Sequence, residues 1–421
     1  MSREQTVPQQ GLARLSVRAR VRLTLSLLIL MLRPGFASAH ERFVKHDMKH
    51  PLQNGFFGQE AGQFLGMDPN MLRIGLMVST ILAAFLFIWF LRETLDEFIR
   101  YKVLTKLGGA PQRLLHNLAC YIMDKPVRSS WFYALGEWSV ILFLRSAALV
   151  LMFSATNDSL VMPSYPLEPS SAVYFKFLQV LLAVMILTQT LLPLAGAMVI
   201  GTWFYLFRWG PFVAIDALPV VTAGVLYAMS PWMSHKLAIT RLNADQTRWI
   251  RIIFGFGFLV LGWSKIYNHD LTIGVADNYP SMMADPMVGF FAMGADPAMR
   301  REAWVVSFAL AEVMSGFMVM MGVFTRLWST IMCVMFTKLM LIDFGWDEIP
   351  HIYPIGCALA IITSNYLRSE FNPLERLERL MRKGSPVKRF AMMGGFAVGI
   401  ALLAVIPMLY LLTLTDRSML K

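Results

Sequence analysis

Long apolar runs constrain this chain more than any other feature of its sequence. Several of them approach twenty residues, and a helix of about 20 apolar residues spans the hydrocarbon core of a bilayer. Hydrophobic residues make up 56% of the 421 residues, and charged residues only 15%. Soluble domains carry about a quarter charged residues, so this composition is not that of a single soluble core. The sequence therefore predicts an all-α fold, a polytopic membrane helical bundle.

About ten transmembrane helices are predicted after removal of a signal peptide. They lie at about 71–91, 134–153, 173–191, 194–208, 211–231, 249–267, 303–323, 327–343, 351–367 and 391–413. Basic residues concentrate in segments 92–130, 232–251 and 368–390, whereas 154–172 and 268–299 contain no Lys or Arg. Because basic loops stay in the cytoplasm, this alternation predicts a multi-pass inner-membrane protein whose mature N-terminus and C-terminus are both periplasmic.

The net charge of +11 is explained by these basic loops. We therefore expect the lipid bilayer as a partner and no nucleic acid. The three cysteines, Cys120, Cys333 and Cys357, form no CxxC pair and predict neither a disulfide framework nor a cysteine metal site.

Residues 1–39 have the order of a secretory signal peptide. A segment rich in arginine precedes the ten-residue apolar run LTLSLLILML, and the small-residue triplet Ala37-Ser38-Ala39 follows the run. Ten helical residues span about 15 Å, half of a bilayer core, so the run is a poor permanent anchor. Cleavage after Ala39 would make His40 a free N-terminus, followed by a periplasmic leader over 40–70.

Three histidines of this leader admit two interpretations. An N-terminal His40 offers both its α-amine and its imidazole to a metal ion, and His46 and His50 stand four residues apart. Such nitrogen donors suit Cu(II), so the leader could bind copper. The alternative is an ordinary solvated, polar terminus.

The C-terminal half carries a second pattern. Residues 248–267 read RWIRIIFGFGFLVLGWSKIY, and residues 312–326 read EVMSGFMVMMGVFTR. The pattern consists of Arg251, Gly255, Gly262, Lys265, Glu312, Gly316, Gly322, Thr325 and Arg326. It resembles the DoxX-like family, four-helix membrane proteins named for a subunit of a thiosulfate:quinone oxidoreductase. The resemblance covers about 248–370 and implies an association with respiratory or sulfur redox chemistry and with other membrane redox subunits.

The remaining chain divides around this region. A five-helix membrane region is expected over 71–247, before the DoxX-like four-helix domain at 248–370. A cytoplasmic amphipathic helix is expected within 371–390, where Leu374, Leu377 and Leu380 form an apolar stripe. A last transmembrane helix and tail occupy 391–421.

Charged residues inside the predicted spans point to a polar cluster. Glu312 lies thirteen residues before Thr325 and Lys338 thirteen after it. If Thr325 is a tight turn, both stand about 20 Å from it at one depth, because each helical residue rises 1.5 Å. A lone charge at that depth costs at least about 2.5 kcal/mol, so we expect Glu312 and Lys338 to face inward and pair.

This cluster near the periplasmic face also admits two interpretations. It could be an ion-pair network that only sets helix register. It could instead bind a quinone or another small redox-active molecule, with Lys265, Glu312 and Lys338 as its reactive polar groups. Lys265 or His351 would donate a hydrogen bond, and Glu312 and Asp343 would relay protons. The walls of such a site would be Trp263, Tyr267, Trp346 and Tyr353.

Three functions therefore stay open at this stage. The first is an accessory or quinone-interacting component of a redox system, the second a periplasm-facing copper-handling protein, and the third a structural subunit without chemistry. The sequence contains no Walker loop, HExxH motif or haem or iron–sulfur ligand pattern.

Cleavage after Ala39 predicts that the purified mature protein begins with His40. N-terminal sequencing or intact mass spectrometry measures this directly. Ala39→Arg, which disrupts the small-residue triplet recognised at the cleavage site, should leave the longer precursor. A mature chain that still contains residues 1–39 would contradict the prediction.

Overall fold

The computed structural model describes about three-fifths of the chain. The described residues are 69–99, 108–127, 129–161, 167, 169–207, 214, 217–230, 241–267, 309, 311–343, 351–367 and 385–419. The predicted signal peptide, the His-containing leader and the amphipathic helix of 371–390 fall outside this part, apart from residues 69, 70 and 385–390.

Helices account for nearly all of the described chain, and no strand occurs in it. They are α1 Pro69–Phe90, α2 Arg92–Phe98, α3 Gly109–Ile122, α4 Ser130–Thr156, α5 Pro169–Thr188, α6 Leu192–Leu206, α7 Leu218–Ala228, α8 Ala244–Tyr267, α9 Ala311–Met321, α10 Thr325–Lys338, α11 Ile352–Thr363 and α12 Pro386–Met419. A π-helical turn, Leu339–Asp343, continues α10. The predicted all-α class is therefore confirmed for the described residues.

Each of the ten predicted spans overlaps one of these helices. The break predicted between the spans 173–191 and 194–208 is present slightly earlier in the chain, because α5 ends at Thr188 and α6 begins at Leu192 with Pro193 in its first turn. α7 has 11 residues, fewer than the 21 positions predicted at 211–231. By length and composition, α4 and α5 are the two described helices able to cross a membrane, while α6, α7, α9 and α11 are shorter apolar helices.

One continuous hydrophobic core joins the two halves of the chain. α4 packs against α11, α7 against α8, and α1 against α12, so each of these contacts crosses the predicted boundary near residue 247. Most of the strongly apolar window of α4 is buried inside the bundle. The helices that carry the DoxX-like pattern are thus built into the same core as the preceding five-helix region.

Glycines bring α8 and α9 into backbone contact. A Cβ added to Gly255 would lie 2.5 Å from the Met320 nitrogen, and one added to Gly316 would lie 2.4 Å from the Leu259 nitrogen. Gly262 has a similar approach, 2.5 Å to the Ala309 carbonyl oxygen. Small residues permit this close helix crossing, which is a common way to pack helices in membranes.

A tight reversal joins α9 to α10. Gly322 has φ +75° and Phe324 has φ +47°, both in the left-handed region. Glycine adopts this conformation without a Cβ clash, so the residue type at 322 suits the reversal. α10 then begins at Thr325, as expected for the predicted helical hairpin around that residue.

The glycine crossing gives a stability prediction. Gly316→Ala should lower the stability of the protein by about 1–3 kcal/mol, because its Cβ overlaps the α8 backbone. Thermal unfolding in detergent measures the change. Gly201→Ala is the matched control: Gly201 is also inside a helix, and nothing lies within 4 Å of its added Cβ. Since Ala favours helix over Gly by about 1 kcal/mol, the control should be neutral or slightly stabilising. Equal effects of the two variants would refute the close crossing.

Candidate functional site

α10 and α11 define two ends of the bundle. They pack against each other, with Arg326 of α10 bonded to Ile362 near the end of α11, and Phe336 of α10 stacked on His351 before the start of α11. We call these the Arg326 end and the His351 end. Both ends bury ionisable side chains.

At the Arg326 end, Asp124 caps the first turn of α10. The backbone nitrogen of Thr325 donates a hydrogen bond to Oδ2 of Asp124 at 2.6 Å, and the backbone nitrogen of Arg326 donates one to Oδ1 of Asp124 at 2.9 Å. A helix N-terminus leaves such N–H groups without partners inside the helix and carries partial positive charge. A carboxylate from a loop some 200 residues earlier in the chain therefore supplies the cap, held by a left-handed backbone at Asp124 with φ +54°.

The Arg326 side chain caps the opposite kind of helix terminus, the C-terminus of α11. Its guanidinium is fully buried and donates to the Ile362 carbonyl oxygen at 2.9 Å and to the Ser364 carbonyl oxygen at 2.7 Å. Carbonyl groups at a helix C-terminus lack intrahelical donors and carry partial negative charge. Another bond, of 2.6 Å, runs to the Lys125 carbonyl oxygen. One side chain thus joins the end of α11 to the loop that contains Asp124.

Surrounding contacts extend this arrangement over four helices. The Asn365 side chain accepts from the Val127 backbone nitrogen at 3.1 Å, and the hydroxyls of Thr247 and Ser364 are 2.8 Å apart. Tyr121 and Thr330 share a hydrogen bond, and Lys125 forms an ion pair with Asp96. These bonds tie α2, α3, α8 and α10 to the loop ends that Arg326 joins.

Burial affects the acid of this pair. Desolvation raises the pKa of Asp124 above its usual value, although the Arg326 guanidinium and the two backbone N–H groups favour its charged form. Burial likewise raises the pKa of Tyr121. A buried charge pair is costly to form, but removal of one partner leaves the other charge uncompensated, which costs more.

The His351 end brings together part of the predicted quinone site. The His351 ring stacks on Phe336 with centroids 5.5 Å apart, and Phe336 lies 5.0 Å from Phe258 of α8. Glu312 is 1% exposed and lies one turn from Gly316, on the same face of α9. Lys338 is half-buried at the last turn of α10. Whether Glu312 pairs with Lys338 stays a prediction.

Helix register adds the backbone of Lys265 to this end. Gly255 lies against Met320 and Gly262 against Val313, so α8 and α9 run antiparallel. The same register places the backbone of Lys265 within about one helical turn of Glu312. The side chains of Lys265, Trp263, Tyr267 and Asp343, all of Trp346, and His40, His46 and His50 lie outside the described residues.

Tyr353 is placed in a packed position. Its ring is buried 5.4 Å from that of Phe143, and its hydroxyl bonds to the Pro219 carbonyl oxygen and to the Thr222 hydroxyl at 2.6 Å. These bonds tie α11 to the first turn of α7. Tyr353 therefore has a defined structural role, and its role as a ring wall stays a prediction.

Sequence reasoning did not identify the Asp124–Arg326 arrangement as a site. Arg326 was noted only as part of the DoxX-like pattern, and Asp124 follows α3 in an ordinary polar loop. A local signal exists at both positions, an aspartate in a turn and an arginine in a helix's first turn. Nothing in the sequence indicates that the two residues, 202 positions apart, meet in the fold.

The described residues contain no group of three or more His, Cys, Asp or Glu that could hold a metal ion. Comparison with protein-family models, with curated proteins and with solved structures finds no match for this chain.

Loss of the Asp124 carboxylate should destabilise the fold strongly. Asp124→Asn keeps the shape of the side chain but removes the charge opposite Arg326 and presents an N–H₂ donor to a backbone N–H. We expect a loss of about 3–5 kcal/mol, typical of a broken buried pair. Chemical or thermal unfolding of the purified protein measures it.

The control for this variant is Asp158→Asn. Asp158 forms an ion pair with Lys176, but its side chain is 62% exposed. Exposed pairs contribute about 0–1 kcal/mol, so this variant should unfold almost as the parent does. Similar losses of stability in the two variants would contradict the prediction that the buried Asp124 cap contributes more than an exposed ion pair.

Proposed function

We propose that this chain is a multi-pass inner-membrane protein of the DoxX-like type, an accessory or quinone-interacting component of a redox system. Its small-molecule site lies at the His351 end, near the periplasmic face, and both mature termini are periplasmic. The observation that carries the proposal is the buried Glu312 on the glycine face of α9, at the same end of the bundle as the stacked His351.

Exposed apolar surface supports the membrane part of this proposal. α5 has a strongly apolar window of which only 28% is buried, and its exposed residues include Val173, Tyr174 and Phe177. α6 exposes Phe204 in the same way, and α10 exposes Val334. Soluble monomers rarely present contiguous apolar surface of this kind, whereas lipid tails cover it without cost.

The positions of the pattern residues support the DoxX-like resemblance. Gly255, Gly262 and Gly316 form one helix crossing, Gly322 lies in the reversal that follows α9, and Arg326 lies in the first turn of α10. Five residues of the pattern therefore belong to the packing and the connection of neighbouring helices. The resemblance implies association with other membrane redox subunits, and the electron partner would belong to them.

The chemistry at the His351 end fits a carbonyl-bearing ring. His351 has an aromatic neighbour on one face and ring nitrogens that can donate a hydrogen bond to a carbonyl oxygen. Glu312, buried one helix away, can hold or release a proton as charge on a bound ring changes. Lys265, placed by the register of α8, supplies a second donor in this proposal.

Two other functions are separable by experiment. A copper-handling protein would bind copper through His40, and His40→Ala would remove it. A structural subunit would need only the helix-capping contacts of Asp124 and Arg326, which are well formed. The conjunction of Glu312 and His351 favours the small-molecule site over both.

Binding of a quinone analogue to the purified protein in nanodiscs tests the proposal. Glu312→Gln and His351→Leu should each weaken binding at least about tenfold, equivalent to about 1.4 kcal/mol, because each removes a polar group facing the ring. Fluorescence quenching or calorimetry gives the dissociation constant, and thermal unfolding verifies that both variants stay folded.

Matched controls come from the same chain. Glu137→Gln alters a carboxylate that pairs at 2.7 Å with Arg241 in an exposed ion pair, and His116→Leu alters an exposed histidine of α3. Neither should change binding. An affinity unchanged by the Glu312 and His351 variants, or weakened equally by the controls, would overturn the proposed site.

A further inference from the structure

α3 carries an amphipathic pattern whose apolar side is exposed. Leu114 and Leu118 stand one turn apart with Leu115 between them on the same stripe, and Leu114 is 69% and Leu118 49% exposed. Cys120 is the only residue of α3 that is buried. A helix that packs on its own protein turns such a stripe inward, so this stripe has another neighbour.

Charge near the stripe identifies the chemistry of that neighbour. From residue 99 to residue 123 the sequence has four basic residues, Arg100, Lys102, Lys106 and Arg113, and no acidic residue. A basic sequence that leads into a helix with an exposed leucine stripe is typical of helices that lie in the surface of an anionic membrane. The charge is complementary to anionic lipid headgroups.

Aromatic residues at the start of α4 indicate that α3, which precedes it, is close to the level of the lipid headgroups. α4 is a 27-residue apolar helix, and its first turns expose Trp131, Tyr133 and Trp138. Tryptophan and tyrosine concentrate at the level of the headgroups, where one part of the ring is apolar and another is wet. α3 ends eight residues before α4 begins, so both elements reach the same interface.

We propose that α3 lies in the plane of the anionic membrane surface, with Leu114 and Leu118 inserted among the lipids and Arg113 at the headgroups. This inference rests on the proposed membrane-spanning architecture. The new element is that the bilayer surface holds α3 in place. The last residues of α3 lie beside Arg326, through the Cys120 carbonyl oxygen and the Tyr121 ring. The lipid surface thereby secures the capped end of the bundle.

Spin labels at two neighbouring positions test the proposal in the full chain. Leu118→Cys places a label on the stripe, and Asn117→Cys places the matched label on the polar side of α3. The native cysteines are replaced by alanine, and the protein is reconstituted in nanodiscs of phosphatidylcholine with an equal amount of phosphatidylglycerol. The label at 118 should collide mainly with oxygen, and the label at 117 mainly with a water-soluble nickel complex.

A label at 118 that is accessible to the nickel complex would overturn the inference. A label at 118 that is shielded from both oxygen and the nickel complex would also overturn it, because that result indicates that a protein segment covers the stripe. Either result in a chain that has entered nanodiscs leaves the membrane-spanning proposal intact, so the two failures are distinguishable.

Hydrogen exchange on the unaltered protein provides the second measurement. Amides of 109–122 should exchange severalfold more slowly in the anionic nanodiscs than in phosphatidylcholine alone, and Arg113→Gln should reduce that difference. Equal exchange in the two lipids would also overturn the role of the anionic surface. This comparison needs no cysteine substitution and holds even where the labelled variants fail to fold.

Discussion

The guanidinium of Arg326 is fully buried, and groups from several parts of the chain compensate its charge. Arg326 can stay buried only if carbonyl oxygens surround it and an acid lies nearby. The carbonyl oxygens come from the end of α11 and from the loop after α3, and the acid is Asp124. Since these groups belong to distant parts of the sequence, the arginine determines which helix ends meet.

Opposite helix termini are satisfied by opposite charges at this position. Asp124 receives the N–H groups that begin α10, and Arg326 donates to the carbonyl groups that end α11. Each terminus would otherwise bury unsatisfied backbone groups, at a cost of roughly 1–3 kcal/mol for each group. The arrangement therefore stabilises two helices through one pair of side chains.

Glycine contacts extend towards the His351 end. Close contact between α8 and α9 along Gly255, Gly262 and Gly316 sets the position of α9, on which the buried Glu312 lies one turn from Gly316. The same contact fixes the register that carries the backbone of Lys265 to a similar depth. A polar group buried by a rigid backbone contact has a defined position, as a binding site requires. The two ends thus differ in their described contacts: side chains bond to helix termini at the Arg326 end, and glycine contacts between the α8 and α9 backbones extend towards the His351 end.

Periodicity and breaker residues predicted much of the fold. The ten apolar runs overlap helices, Pro193 lies in the first turn of α6, and the hairpin reverses before Thr325. These features depend on residues close together in sequence, through hydrophobic runs and backbone preferences, so local reasoning reaches them. The shorter length of α7 and the presence of α3 were not predicted, because helix ends depend on what caps them.

The sequence by itself determined that this chain forms apolar helices, roughly where they lie, and which ionisable residues lie inside them. Only the tertiary structure decided that Asp124 meets Arg326 and that Tyr353 bonds to α7. Those outcomes depend on contacts between residues that are far apart in sequence. Helix propensity is a local property, whereas the pairing of helix ends depends on which packed arrangement satisfies every buried polar group.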